Sequence, residues 1–189
     1  MAEADQCQDG NRKQSSLFLR EPSEVGLIFA AGSGSLAERG AAWLFVEYLR
    51  RQTGTDGVLR LLTRSTATGT VNVEGVMGRA WVDLFSDWSA ALELERQVSL
   101  RGTLPLRSEL LFPGFDLMQA LANGGGGFPS TPLVHDSGDF SDLGRLWSSS
   151  GAYFLVEAGD GGVAVSLSGI NGGPVSPNSA LRLKLVRLF

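Results

Sequence analysis

Cysteine and histidine are almost absent from this sequence, which has one of each, Cys7 and His135, among 189 residues. A single cysteine excludes an intramolecular disulfide and a zinc site built from thiolates. A catalytic zinc site of the peptidase type needs two histidines one helical turn apart, a glutamate base and a third ligand, and no His-Glu-x-x-His motif is present. The sequence therefore predicts no metal, no other cofactor and no catalytic residue.

Long runs of positive charge and long apolar runs are also missing. The net charge is -4, and no basic run exceeds Arg50 and Arg51, so we expect no nucleic-acid partner. No stretch reaches the ~20 apolar residues that a membrane span requires. Residues 1–16 are polar and lack the apolar region of a signal peptide, so none is predicted in this chain.

The composition that is present favours a folded core. Hydrophobic residues make up 43% of the chain, and glycine, with 25 residues, is frequent after position 120. We predict a disordered tail at residues 1–16, a helical subdomain at 17–100 and a β-rich domain at 101–189. The predicted fold class is α+β, with a cluster of short helices followed by a small antiparallel β-sandwich.

The strongest helical pattern covers residues 36–52. Ser35 and Glu38 have the spacing of a capping box, and Gly54 is a natural stop. Further helices are predicted with Asp56 and Asn72 as their N-caps, the second of them ending at Met77 before a stop at Gly78, and a last one over residues 81–94. The apolar stripe of the last helix comprises Leu84, Phe85, Trp88 and Leu92.

The second half of the sequence favours strands over helices. The glycine run at 124–127 and the interrupting prolines Pro105, Pro113, Pro129 and Pro132 make helix unfavourable there. Strands are predicted at 152–157, 163–168 and 181–188, and the last two alternate apolar and polar residues. Residues 159–162, three of them glycine, would join the first two strands as a hairpin.

The helical half carries a recognisable series of motifs. These are AERGAAWLFVEYL at 37–49, VLRLL at 58–62, TGTVNVE at 68–74 and DLFSDWSAAL at 83–92. Their order resembles the region downstream of the zinc site in the hyicolysin-like metallopeptidases. It is similar, more distantly, to the helical subdomain of gluzincins of the aminopeptidase N type.

The resemblance implies a helical subdomain that packs against a zinc-bearing domain and forms one wall of its substrate cleft. In aminopeptidase-like relatives a tyrosine that stabilises the oxyanion precedes the Glu-Lys-Gly, whereas Ala37 stands at the matching position here. The chain is thus expected to be a non-catalytic part, with scaffolding or contact to a protein or substrate as its role. The implied partner is a peptidase domain or a peptide ligand, and the implied setting is bacterial, extracellular or in the cell envelope.

Two other functions remain open from the sequence. The spacing Gly32-x-Gly34-x-x-Ala37 after an apolar run is typical of a dinucleotide-binding loop, with residues 58–63 as a second strand and Arg64 as a phosphate ligand. Alternatively, the β-rich half is a carbohydrate-binding or adhesion module.

Other polar candidates are weaker. His135, Asp136 and Asp139 would suit either a cation or a polar turn. Ser33 and Ser35 lack the Gly-x-Ser-x-Gly setting that a hydrolase triad with His135 would need.

Carboxylates and aromatic residues complete the set of candidates. Glu38 and Glu47 would lie about 13 Å apart along one helix, too far for an acid–base pair and better suited to capping or solvation. Nothing near Cys7 in sequence would activate its thiol. The four tryptophans are predicted to serve the core or an interface: Trp43, Trp81, Trp88 and Trp147.

Overall fold

A computed structural model describes residues 2–28, 34–136, 141, 144–159 and 162–188, with the backbone alone for residues 2–8 and 170. Over these residues the chain forms six α-helices and one small sheet. The helices are α1 (Ala2–Phe18), α2 (Leu36–Thr53), α3 (Gly57–Arg64), α4 (Gly69–Met77), α5 (Trp81–Arg101) and α6 (Leu117–Asn123). The strands are β1 (Leu133–His135) and β2 (Phe154–Val156), and short 3-10 helices occur at Ser108–Leu110, Ile170–Gly172 and Pro177–Ser179.

Helix α2 confirms its prediction in detail. The Ser35 hydroxyl accepts from the Glu38 N–H at 3.2 Å, and the Glu38 carboxylate accepts from the Ser35 N–H at 2.6 Å. Two orphan donors are thereby satisfied at the first turn. At the other end Gly54 adopts φ 65°, the left-handed conformation in which glycine ends a helix without steric cost.

The starts of α3 and α4 differ from the predicted caps. Asp56 makes no capping hydrogen bond and instead pairs with Arg50. Helix α4 begins at Gly69, so the predicted cap Asn72 lies inside it and donates to the Leu62 carbonyl at 2.9 Å. An amide that bonds the neighbouring helix fixes how α3 and α4 pack, which is a tertiary role that local spacing does not reveal.

The core lies between α1, α2, α5 and α6. Leu84, Trp88 and Leu92 are buried along one face of α5, as the apolar spacing predicted. Phe18 stacks on Trp88 with ring centroids 5.8 Å apart, and Phe45 meets Trp88 edge-on at 5.4 Å. These geometries are the ones that aromatic quadrupoles favour, so the cluster is stabilised by packing and ring electrostatics together.

Helix α1 stands where the sequence predicted a disordered tail. It packs on α2 through small groups: Ser15 and Ser16 are buried, and a Cβ added to Gly40 would lie 2.2 Å from the Gln14 carbonyl oxygen. The Ser16 hydroxyl also donates to the Gly127 carbonyl at 2.8 Å. Close approach through serine and glycine needs no long apolar stripe, so a largely polar segment can still pack as a helix.

The predicted antiparallel β-sandwich was wrong. Within the described residues the sheet has two strands, β1 and β2, which pair in parallel with Leu133 opposite Phe154. Helix α6 lies in the half where no helix was expected, and its Asp116 cap accepts from the Gln119 N–H at 2.8 Å. Residues 163–168 and 181–188 form no strand, and part of the predicted hairpin, residues 160 and 161, lies outside the described residues.

No helix in the described part of the chain combines the length and apolar character needed to cross a membrane.

Candidate functional site

A charged cleft lies where the helical core meets the C-terminal segment. Its volume is about 490 Å³. It is lined by the turn between α4 and α5, by one face of α5, by the 3-10 helix at Ser108–Leu110 and by residues 182–184. Four cations and three carboxylates line it: Arg79, Arg107, Arg182 and Lys184, with Asp83, Asp87 and Glu109.

Asp87 is the centre of the ion pairs in this cleft. Its side chain is only 8% exposed, and both of its carboxylate oxygens are engaged, one by Arg79 and one by Lys184. A buried carboxylate is stable only when it is paired, so these contacts hold Arg79 and Lys184 in place. Burial, and secondarily the positive charge of Arg79, lowers the pKa of Lys184, while Asp83 opposes that shift.

Helix geometry explains how α5 serves both the core and the cleft. Asp83 and Asp87 are four residues apart and therefore share a face. The neighbouring positions Leu84 and Trp88 are buried in the core. Each turn of the helix thus supplies one apolar anchor and one carboxylate, and the anchors fix the position of the acids.

Tyr48 supports the cleft from beneath. Its hydroxyl donates to the Glu109 carbonyl at 2.7 Å. Burial raises the pKa of Tyr48 to about 12, although the charge of Arg79 acts in the opposite direction. The phenol is therefore protonated at neutral pH and available as a donor, and its bond ties α2 to the 3-10 helix that carries Glu109.

Arg107 and Arg182 differ from the other two cations. Within the described residues neither side chain makes a hydrogen bond or an ion pair, and both are exposed. Guanidinium groups bind carboxylates in a bidentate fork. The cleft can accordingly bind an anionic group from outside the protein without breaking any internal pair of these two arginines.

A second depression, near the end of α2, lacks this property. Arg50 pairs with Glu47 at 2.8 Å and with Asp56 at 3.0 Å. Arg51 pairs with Glu47 at 2.6 Å and lies 4.6 Å from the centre of the Phe115 ring. Its arginines are already bound within the chain, so the first cleft is the stronger candidate for a ligand site.

The carboxylates singled out from the sequence are structural. Glu38 caps α2, as expected of it. Glu47 is 7% exposed and holds both Arg50 and Arg51, which makes it a buried ion-pair residue where a solvated one was predicted. Ser35 is occupied by the cap of α2, and Ser33 lies outside the described residues.

His135 lies in β1, where its ring stacks on Phe154 with centroids 6.0 Å apart. Asp136 follows it at the surface, and Asp139 is outside the described residues. In the portion of the chain that the structure describes, no three His, Cys, Asp or Glu side chains form a group suited to a metal ion. Cys7 falls within α1, but its side chain is not among those described.

The dinucleotide alternative loses its second strand. Residues 58–63, which that interpretation needs as a strand, belong to α3. Gly32 is outside the described residues, Gly34 has φ 53°, and Ala37 packs against the core from the first turn of α2. The cap formed by Ser35 and Glu38 already occupies donors at this helix start that a phosphate would use.

The tryptophans divide as core and surface. Trp43 and Trp81 pack against the core that contains Trp88. Trp147 is exposed, and its indole N–H donates to Glu24 at 2.9 Å. The sequence did not reveal the cleft itself, because Arg79 and Asp87 form no recognisable motif and Arg107 lies 20 residues beyond Asp87. The one available signal was the pair Arg182 and Lys184 at the polar positions of an alternating segment.

Comparison of this chain with known protein families, with curated proteins and with solved structures found no match.

Proposed function

We propose that this chain is a non-catalytic contact module that binds a protein or peptide through the charged cleft on its helical core. The observation that carries the proposal is the pair Arg107 and Arg182, two cations that line a cleft of about 490 Å³ and make no ion pair within the described residues. Peptide and protein carboxylates are the biological groups that such a pair recognises with two parallel hydrogen bonds.

The resemblance to hyicolysin-like metallopeptidases suggests where such a module would act. In that setting the helical core is a scaffold and the cleft contacts a peptidase domain or its substrate, outside the cell or in the cell envelope. The buried aromatic cluster around Trp88 supports the scaffold role, because it holds the cleft-lining face of α5 in a fixed position.

The first test is peptide binding measured by fluorescence anisotropy. Capped, labelled octapeptides rich in glutamate, in serine or in lysine are titrated with the protein. We expect the acidic peptide to bind most tightly, and the double variant Arg107→Glu/Arg182→Glu to weaken it by at least about tenfold. The matched control is Arg60→Glu/Arg64→Glu, which makes the same charge change on exposed residues of α3 that do not line the cleft.

Two results would contradict the proposal. One is equal binding of acidic and basic peptides that the cleft variant leaves unchanged. The other is cleavage of the same peptides in added zinc, detected by mass spectrometry and abolished by a chelator. Such cleavage would show a zinc site with more ligands than one imidazole, in conflict with a non-catalytic module.

A further inference from the structure

The C-terminal segment that lines the cleft, residues 181–186, has no regular secondary structure, and its backbone is unpaired. For residues 181–186 no backbone hydrogen bond joins the segment to any other part of the described chain. Backbone N–H and C=O groups that are not paired within a protein are templates for a strand from another chain. The residues are also the ones whose alternation predicted a strand from the sequence.

The leucines of this segment are partly exposed, and one of them, Leu183, lies at the edge of the cleft. Leu181, Leu183 and Leu185 are 38%, 46% and 68% exposed, while Lys184 between them is turned to Asp87. A strand that completes a protein's own core would have the opposite arrangement, with its leucines covered. Exposed leucines at every second residue of an unpaired segment are therefore a surface on which another chain can bind.

The charge of the segment indicates which kind of chain would bind there. Residues 181–188 carry Arg182, Lys184 and Arg187 and no carboxylate. In an antiparallel pair of two copies, with Lys184 opposite itself or Arg182 opposite Arg187, like charges would face each other, which destabilises pairing. Arg107 lies in the same cleft and adds positive charge beside the segment. The complementary partner is an extended peptide in which acidic and apolar residues alternate.

We propose that residues 181–186 bind such a peptide by strand addition, with its acidic side chains directed to Arg182 and Arg107 and its apolar side chains against the exposed leucines. This inference rests on the proposed function, since it assigns a geometry and a sequence pattern to the peptide that the cleft binds. The backbone bonds would supply affinity, and the alternation would supply specificity.

The test uses a capped octapeptide in which valine and glutamate alternate, titrated into the ¹⁵N-labelled protein. We expect saturable shifts and slowed hydrogen exchange at the amides of residues 181–186. A peptide of the same composition with valines and glutamates in two blocks, and the alternating peptide with N-methyl groups at alternate residues, should each bind at least about tenfold more weakly.

A protein variant gives an independent test. Leu183→Pro removes one backbone donor from the segment and should weaken the alternating peptide by at least about tenfold, with the folded core unaffected. Ala164→Pro, at another exposed position without a regular strand, is the matched control and should bind normally.

Three outcomes would overturn the inference. If N-methylation does not weaken the binding of the acidic peptide, strand addition is excluded, and the proposed function still stands. No binding of any acidic peptide would contradict both. Protection of the same amides without peptide, accompanied by a dimer in size-exclusion chromatography, would assign the segment to a second copy of this chain.

Discussion

In the helical core leucines and aromatic residues are covered, whereas in the described part of residues 133–188 the same residue types are largely exposed. Leu84 and Leu92 of α5 have no accessible surface, while Leu133 and Leu185 are more than half exposed. Both regions have the apolar residues that a core requires. The difference is that the helices meet on several sides, whereas residues 182–184 of the C-terminal segment lie along the cleft without regular secondary structure. We infer that the first region provides stability and the second provides contact.

Two tryptophans, one in the helical core and one in the exposed region, should show the largest difference between the two regions. Trp88→Ala removes a ring that is 1% exposed and touches Phe18, Phe45 and Phe85, so we expect a loss of about 3–5 kcal/mol in the free energy of unfolding. Trp147→Ala makes the same truncation on an exposed side chain and should cost less than about 1 kcal/mol. Urea unfolding followed by far-UV circular dichroism measures both. Similar losses would erase the distinction between the two regions.

Two glycines test whether α1 belongs to the core. A methyl group at Gly40 would collide with the backbone of Gln14 and Ser15 in α1, which should destabilise the protein by about 1–3 kcal/mol. Gly75 lies in α4 with nothing within 4 Å of an added Cβ, so Gly75→Ala should stabilise by about 0.5–1 kcal/mol. Thermal unfolding should move the two variants in opposite directions. If Gly40→Ala is neutral, α1 does not pack on α2 as described.

Glu95 tests a polar contact at the edge of the core. Its carboxylate accepts from the Phe112 N–H at 2.6 Å. Glu95→Ala would leave that donor unsatisfied and should cost about 1–3 kcal/mol. Glu95→Gln keeps an acceptor and should be close to neutral.

The pH dependence of this contact follows from the pKa of Glu95. Burial raises that pKa, against the lowering effect of the Phe112 N–H, so the folded protein holds the proton more tightly than the unfolded chain. The stability from this proton is present below the unfolded-state pKa and is lost as the pH rises through the folded-state pKa. The free energy of unfolding should therefore fall between about pH 4 and 7, and this slope should be absent in Glu95→Gln. An unchanged slope would assign it to other groups.

The smallest effect is expected at the exposed leucines. The double variant Leu183→Ser/Leu185→Ser should change the free energy of unfolding by less than about 1 kcal/mol, because neither side chain is buried in the folded protein. Leu84→Ser, at a buried position of α5, is the contrasting control and should be strongly destabilising. A large loss in the double variant would show that the C-terminal leucines are part of the core.

Local sequence patterns were sufficient for two helices of this fold. The capping box at Ser35 and Glu38, the stop at Gly54 and the apolar stripe containing Trp88 predicted α2 and α5, although α5 runs further than expected, to Arg101. These features depend on neighbours within a few turns, which the sequence displays directly.

The sequence was insufficient where tertiary contacts decide. Helix α1 packs through Ser15, Ser16 and Gly40, residue types that local rules assign to loops. Residues 181–188 have a strand pattern, but a strand also needs a partner, and alternation alone cannot supply one. The cleft combines Arg79, Arg107 and Asp87, which only the fold brings together.

Native-state hydrogen exchange of the isolated, peptide-free protein tests the division of the molecule most directly. We predict that amides of α5 around Trp88 are protected up to global unfolding, while those of residues 181–186 exchange at nearly the rate of an unstructured peptide. Protection of residues 181–186 comparable to that of α5, in a monomeric sample, would contradict it.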